Sequence, residues 1–294
     1  MAKLSTCPFC GDKTQNMSSE HWLPQSWRKY LALPELYIHR TSVEGVRGET
    51  TVEYRTPLDQ KFGGICGSCN SHDLRLMDVA AQARTLNLTW KKTTEIPATE
   101  VAVVATAATR AALMLIWGHR ETYSYPKAAY PQLRDRRLPP DGVSVFMGFS
   151  DEPSIYAAGQ HSAVETDEGQ PRGVHILSWG LGWLFVVVVV PNDGDPSVAN
   201  RVTRRVQKVN QMFGQPLKQV WPNSRRKSVN LSTKNLLSRE YALFLTQARP
   251  LLLGDVPTVM EDRPARLDKK MAEMTEVDID RLVRQPTKAL PELP

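Results

Sequence analysis

The chain has 294 residues, of which 41% are hydrophobic and 23% charged; it is too long for a minimal module and has the balance of a soluble globular protein with one or two domains. A formal net charge of +6 leans mildly towards polyanionic partners. The opening M-A-K-L-S-T-C-P-F-C lacks the apolar core of a signal peptide, so secretion is not expected and cytoplasmic residence with reduced thiols is.

Residues 1 to about 75 are dense in Cys, Gly, Pro and polar side chains. Tyr37 to Val43 and Thr50 to Tyr54 flank the turn-forming E-G-V-R-G-E and predict a hairpin. From Asn70 the pattern becomes helical, with Leu74, Met77, Ala80, Ala81 and the run Arg84 to Leu88 recurring at spacings of three and four. A second helix is predicted from Thr99 to Trp117, capped by Thr99 and stopped at Gly118, with Val101, Val104, Ala108, Leu115 and Ile116 as core and Met114 and Trp117 as packing residues.

A Pro- and Arg-rich connector, Tyr125 to Asp141, leads to predicted strands at Val143 to Phe149 and Ser154 to Ala158. Gly173 to Asn192 carries no formal charge over about the ~20 residues that a membrane helix needs. Its apolar content splits around Gly180-Leu181-Gly182, however, and its second half is a run of β-branched valines. It therefore reads as a hairpin with a buried strand from Trp183 to Val190.

After Pro196, Val198, Val202, Val206 and Val209 mark one face of a helix and Arg201, Arg204, Arg205 and Lys208 another. Such a basic face can lie along a phosphate backbone, and a plain solvated face explains it equally well. Residues 255–294 read as a polar tail with one exposed helix near Asp262 to Arg284. The fold class expected is α+β: a metal-stapled module over residues 1–92, an α+β region over 93–254, and the tail.

All four cysteines fall into two pairs of one spacing, Cys7/Cys10 and Cys66/Cys69. In a reduced compartment two C-x-x-C pairs signal Zn²⁺, which takes four thiolates in a tetrahedron; a redox pair or disulfides are the alternatives. A metal bridging so long a loop would be structural, pinning distant segments together. It would also bring Asn70, next to Cys69, towards the dipeptide Glu20-His21 in S-S-E-H-W-L-P-Q.

The order C-x-x-C, Glu20-His21-x-x-Pro24, G-G-I-C-x-x-C-N resembles the HNH endonuclease family, the ββα-metal fold, in the zinc-stapled form found in phage and bacterial proteins. The resemblance covers roughly residues 5 to 80. It implies that Glu20 and Asn70 ligate a single catalytic Mg²⁺ or Mn²⁺ and that His21 is the general base that takes a proton from water. It also implies a fold of two strands and a helix, with DNA as the partner. A single site cuts one strand, so double-strand cleavage would need a homodimer or two successive events. These roles suit the chemistry, because histidine titrates near neutrality and a hard cation neutralises the charge of a phosphodiester in transition.

Adjacent side chains on a strand point to opposite faces, so Glu20 and His21 can serve one site only through a twist or bulge or with substrate between them. The family's middle asparagine, which orients the histidine ring, has no counterpart between His21 and Cys69; Gln60, Asp59, His39 or a backbone carbonyl could replace it. That departure supports the alternative of a zinc-containing nucleic-acid-binding protein without catalysis. Asp73, at i+3 from Asn70, is a candidate additional ligand to the catalytic ion, or simply an early helical carboxylate. Asp78 matches an acidic position of the E-H-x-x-P relatives but has no mechanistic role on sequence grounds. Arg28 and Lys29 are candidate phosphate contacts, as are the four basic residues of the helix after Pro196. His119, His161 and His175 read as structural or exposed.

Overall fold

The valine run from Val186 to Val190 lies in a strand buried on both faces. In a strand, alternate residues face opposite sides. Leu184, Val186, Val188 and Val190 enter one core, and Phe185, Val187 and Val189 enter a second. The computed structural model describes residues 5–27, 38–42, 51–55, 61–120, 124–165, 171–212, 214, 216–223 and 227–238.

The strands in chain order are β1 (Ser5–Thr6), β2 (Lys13–Thr14), β3 (Met17–His21), β4 (Ile38–Ser42), β5 (Thr51–Arg55), β6 (Lys61–Cys66), β7 (Glu95–Ile96), β8 (Ser144–Glu165), β9 (Pro171–Pro191), β10 (Lys218–Trp221) and β11 (Val229–Asn230). The helices are α1 (Arg75–Thr89), preceded by a π-helical turn at Cys69–Leu74, then α2 (Ala98–Gly118), α3 (Ala129–Arg136) and α4 (Pro196–Met212). The protein is thus a mixed α+β fold with antiparallel sheets.

Its centre is the antiparallel sheet β10-β8-β9. Helix α4 covers one face of that sheet with Val198, Val202 and Val206. The other face packs on α2, whose buried residues run without a break from Val104 to Trp117. Helix α2 is the one described helix long and apolar enough to cross a membrane, and it lies mostly inside the protein. The core around it includes Cys7, Phe9, Trp22, Ile65 and Leu74 as well as Val145, Trp179 and Val220, so the N-terminal module shares apolar packing with the central sheet.

The structure corrects several expectations from the sequence. Gly180-Leu181-Gly182 does not turn the chain: all three stay in the ladder, opposite Tyr156, Ile155 and Ser154. Strand β9 runs on through it, and the hairpin partner is β8, with Val186 to Val189 opposite Met147 to Ser144. The two strands expected at 143–149 and 154–158 are one strand, interrupted by a bulge between Phe149 and Ser154. At that bulge Ser150 and Asp151 leave the ladder to pair with Leu237.

Thr99 is not a cap: α2 begins at Ala98, and the cap position is Pro97, whose missing N–H costs nothing where helical donors are unpaired. The connector 125–141 contains helix α3, which its Pro and Arg content concealed. The hairpin expected between the cysteine pairs is present as β4 and β5. Arg28, Lys29, Asp59, Gln60 and residues 255–294 lie outside the described residues, and the side chains of His39 and Val209 are likewise not described.

Candidate functional site

The two C-x-x-C loops meet. The four cysteine sulfurs all lie within 4.8 Å of one another, and none forms a disulfide. Cys10 Sγ and Cys66 Sγ are 3.6 Å apart; a tetrahedron of sulfurs ~2.3 Å from a zinc has edges of about 3.8 Å. Backbone N–H groups point at the sulfurs, from Cys66 to Cys7 Sγ and from Cys69 to Cys66 Sγ, both at 3.4 Å. Among the described residues this is the one group of three or more metal-ligating side chains. It can hold a structural metal such as zinc.

Burial raises the Cys10 thiol to about 11 and pushes Cys69 up as well, the neighbouring sulfurs adding to both. Burial acts on Cys7 in the same sense, but hydrogen bonds from the backbone of Cys66, Cys10 and Phe9 outweigh it and hold that thiol low. Four crowded thiols cannot all ionise alone, and a cation resolves the conflict. Helix α3 closes over the cluster: Tyr130 packs edge-on against Phe9 at 5.2 Å, and the Arg134 guanidinium, paired with Asp135, also reaches Cys69.

The cysteine cluster lies where strand β6 passes into the helix that follows it. Strand β3 pairs antiparallel with β6, and the turn at Cys69 starts the helix, giving two strands and a helix around the clasp. The Asn70 amide donates to Ser18 Oγ at 2.9 Å and to the Ser19 carbonyl at 3.4 Å. Asn70 is thereby tied to the first half of β3, opposite Ile65 and Gly63, while Glu20 and His21 follow on the same strand opposite Phe62 and Lys61. A bulge lies next to the pair, on the partner strand: Ser18 opposes Ile65, Ser19 opposes Gly63, and Gly64 is extra, at φ +92°.

Glu20 turns inward. Its carboxylate pairs with Arg110 of α2, whose side chain is fully buried. The same guanidinium donates to the Trp22 carbonyl at 2.7 Å and lies 3.3 Å from Asp78 of α1, while its Nε finds no acceptor. Burial lowers the Arg110 pKa to about 9, which leaves it charged at neutral pH, and pushes the Asp78 carboxyl well up. The Trp22 ring, fully buried, meets Trp179 of β9 edge-on at 6.2 Å. This accounts for the tryptophan after the dipeptide.

His21 is half-exposed, and its Nε2 lies 2.6 Å from the Gln25 side-chain amide. A carboxamide offers both N–H and C=O, so it can hold either imidazole tautomer. Gln25 thus contacts the His21 ring from nearer in sequence than any residue the sequence offers as a candidate to orient it. Its signal lies in the same short stretch: the helical turn Gln25–Trp27 folds back four residues after the histidine. Across the ladder His21 faces Lys61, and cross-strand neighbours share a face. Sequence reasoning also missed Arg110, since an arginine among alanines in a core helix has no local partner to reveal its task.

Asp73 lies 3.9 Å from Arg137, so its carboxylate already faces a cation. The basic side chains of α4 point away from the sheet: Arg204 and Lys208 are on its outer side with Arg201 and Arg205, none of them buried. His161 and His175 face each other across β8 and β9, with ring centres 4.6 Å apart. They join a knot in which His175 Nε2 donates to the Ser124 carbonyl at 2.8 Å and Asn192 donates to Ser124 Oγ at 2.7 Å. No family model, curated protein or solved structure matches this chain.

Proposed function

We propose that this protein is a metal-dependent endonuclease of HNH type that hydrolyses phosphodiester bonds in DNA and carries a structural Zn²⁺ on Cys7, Cys10, Cys66 and Cys69. The observation that supports this reading most is the anchoring of the Asn70 amide on Ser18 and Ser19, which ties Asn70 to the strand that carries Glu20 and His21. Asn70 would offer its amide oxygen, and Glu20 the carboxylate oxygen turned from Arg110, to a Mg²⁺ or Mn²⁺ ion. That ion supplies neutralisation of the phosphate and of the leaving oxygen. His21, half-exposed and held by Gln25, accepts the proton of the attacking water. Lys61, on the same face, attracts the phosphodiester, and Arg201, Arg204, Arg205 and Lys208 offer a second surface for the backbone.

A second reading, nucleic-acid binding without cleavage, draws on the Glu20–Arg110 pair, because a guanidinium competes with a cation for the same carboxylate. Nicking of supercoiled plasmid by the purified, zinc-loaded protein in a panel of divalent ions separates the two. Cleavage that requires Mg²⁺ or Mn²⁺ and disappears in His21→Ala at unchanged zinc content supports the nuclease. Salt-sensitive binding with no nicking in any ion supports the second reading.

A further inference from the structure

We propose that Arg110, far along the chain in the core helix, is the positioning residue of the Glu20-His21 site. The inference rests on the nuclease reading for its catalytic meaning, but its geometry stands independently. The guanidinium holds the Glu20 carboxylate on one side of His21 and the Trp22 carbonyl on the other. His21 is thus the single residue between two anchor points on one rigid cation. With Glu20 drawn inward, the alternation of a strand sends the His21 ring the opposite way, towards solvent and Gln25.

Arg110 acts on Glu20 as well as on the backbone. By occupying one carboxylate oxygen it leaves the other as the ligand for a cation, which fixes both direction and denticity. Arg110 is itself fixed: it is fully buried, α2 is packed deep in the core, and Asp78 holds the guanidinium from α1. The same helix steadies the opposite strand, since Trp117 Nε1 donates to the Gly63 carbonyl at 2.8 Å. Phe62 also rests on Gly118, where any Cβ would overlap the ring. A planar fork with several donors suits three acceptors in different directions; an ammonium does not.

The test uses the full-length, zinc-loaded protein with Arg110→Lys, and Asp78→Ala as a second variant that leaves Arg110 in place but removes the acceptor on its far side. Two readouts are taken: the Mn²⁺ concentration for half-maximal nicking, and the imidazole NMR signals of His21, assigned by their loss in His21→Ala. Arg110→Lys is expected to raise the Mn²⁺ requirement by about 10-fold or more, as loss of an outer partner does for metal ligands, and to displace the His21 signals. Asp78→Ala is expected to shift the same signals less. A purely structural arginine would lower the melting temperature while leaving both readouts at wild-type values, and that result overturns the proposal. If the wild type nicks in no divalent ion, the nuclease reading falls and the His21 signals alone decide: displaced signals support positioning and unchanged ones refute it. Should Arg110→Lys fail to fold, unchanged His21 signals in Asp78→Ala refute it equally.

Discussion

Gln25 and His21 lie one helical turn apart in sequence and 2.6 Å apart in space, amide against imidazole Nε2. A ring held through one nitrogen presents the other in a fixed direction, which the general-base role proposed for His21 requires. Gln25→Ala is expected to lower nicking by about 10- to 100-fold, the scale on which outer partners of a site histidine act. Because Gln25 is exposed, unfolding stability should change by no more than ~0.5 kcal/mol. Denaturant melts run beside the nicking assay check both halves.

Lys61 faces His21 across the ladder and is exposed. Its removal should weaken DNA binding about equally for all sequences and reduce the slope of log affinity against log salt by about 1, the signature of one lost phosphate contact. Binding titrations of Lys61→Ala across a salt series measure this. An unchanged slope would remove Lys61 from the interface.

The four-sulfur cluster predicts one zinc per chain. Its sulfurs come from both ends of a long loop, so losing the metal would untie those ends beside Phe9, Ile65 and Cys69, which are buried. Chelation, or Cys66→Ser, should release one zinc, make the remaining thiols titratable and lower the melting temperature sharply. Elemental analysis with thiol counting and calorimetry checks this, and retention of the wild-type melt in the metal-free protein would assign the cysteines another role.

His175 predicts an acid limb of stability. Burial, followed by the neighbouring His161, depresses its pKa from the ordinary 6.5 to about 4, so the folded state favours the neutral ring. The unfolded chain binds the proton first; this contribution is complete above pH 6.5 and is lost as pH falls towards 4. The full loss is on the order of 3 kcal/mol. His175→Gln should flatten the stability profile in that window and leave it unchanged above, as read from denaturant melts at stepped pH.

How much of this is legible in the sequence depends on how local each signal is. The cysteine pairs, the helix after Asn70 and the amphipathic helix after Pro196 rest on short-range spacing, and the structure has all three at the expected places. The valine run declares itself a buried strand, but its partner is misread, because Gly180 and Gly182 resemble a turn while the strand continues through them beside the bulge in β8. Helix α3 is hidden because proline and arginine suggest a linker, whereas Tyr130 and Leu133 are buried and bind it to the core. Within the candidate site, Glu20, His21 and Asn70 stand out by resemblance to a motif. Arg110 does not, since 90 positions separate it from Glu20 and only the fold brings them together.

That separation also bears on how the protein is made. Translation runs from the N-terminus, so both C-x-x-C loops can emerge and take up metal before the whole of α2, Ala98–Gly118, has left the ribosome. During that interval Glu20 has no guanidinium opposite it, and the Trp22 carbonyl has no donor from Arg110. A nascent or truncated chain can therefore bring its four cysteines together and still lack the Glu20–Arg110 pair, which forms only once the core helix has been delivered and buried.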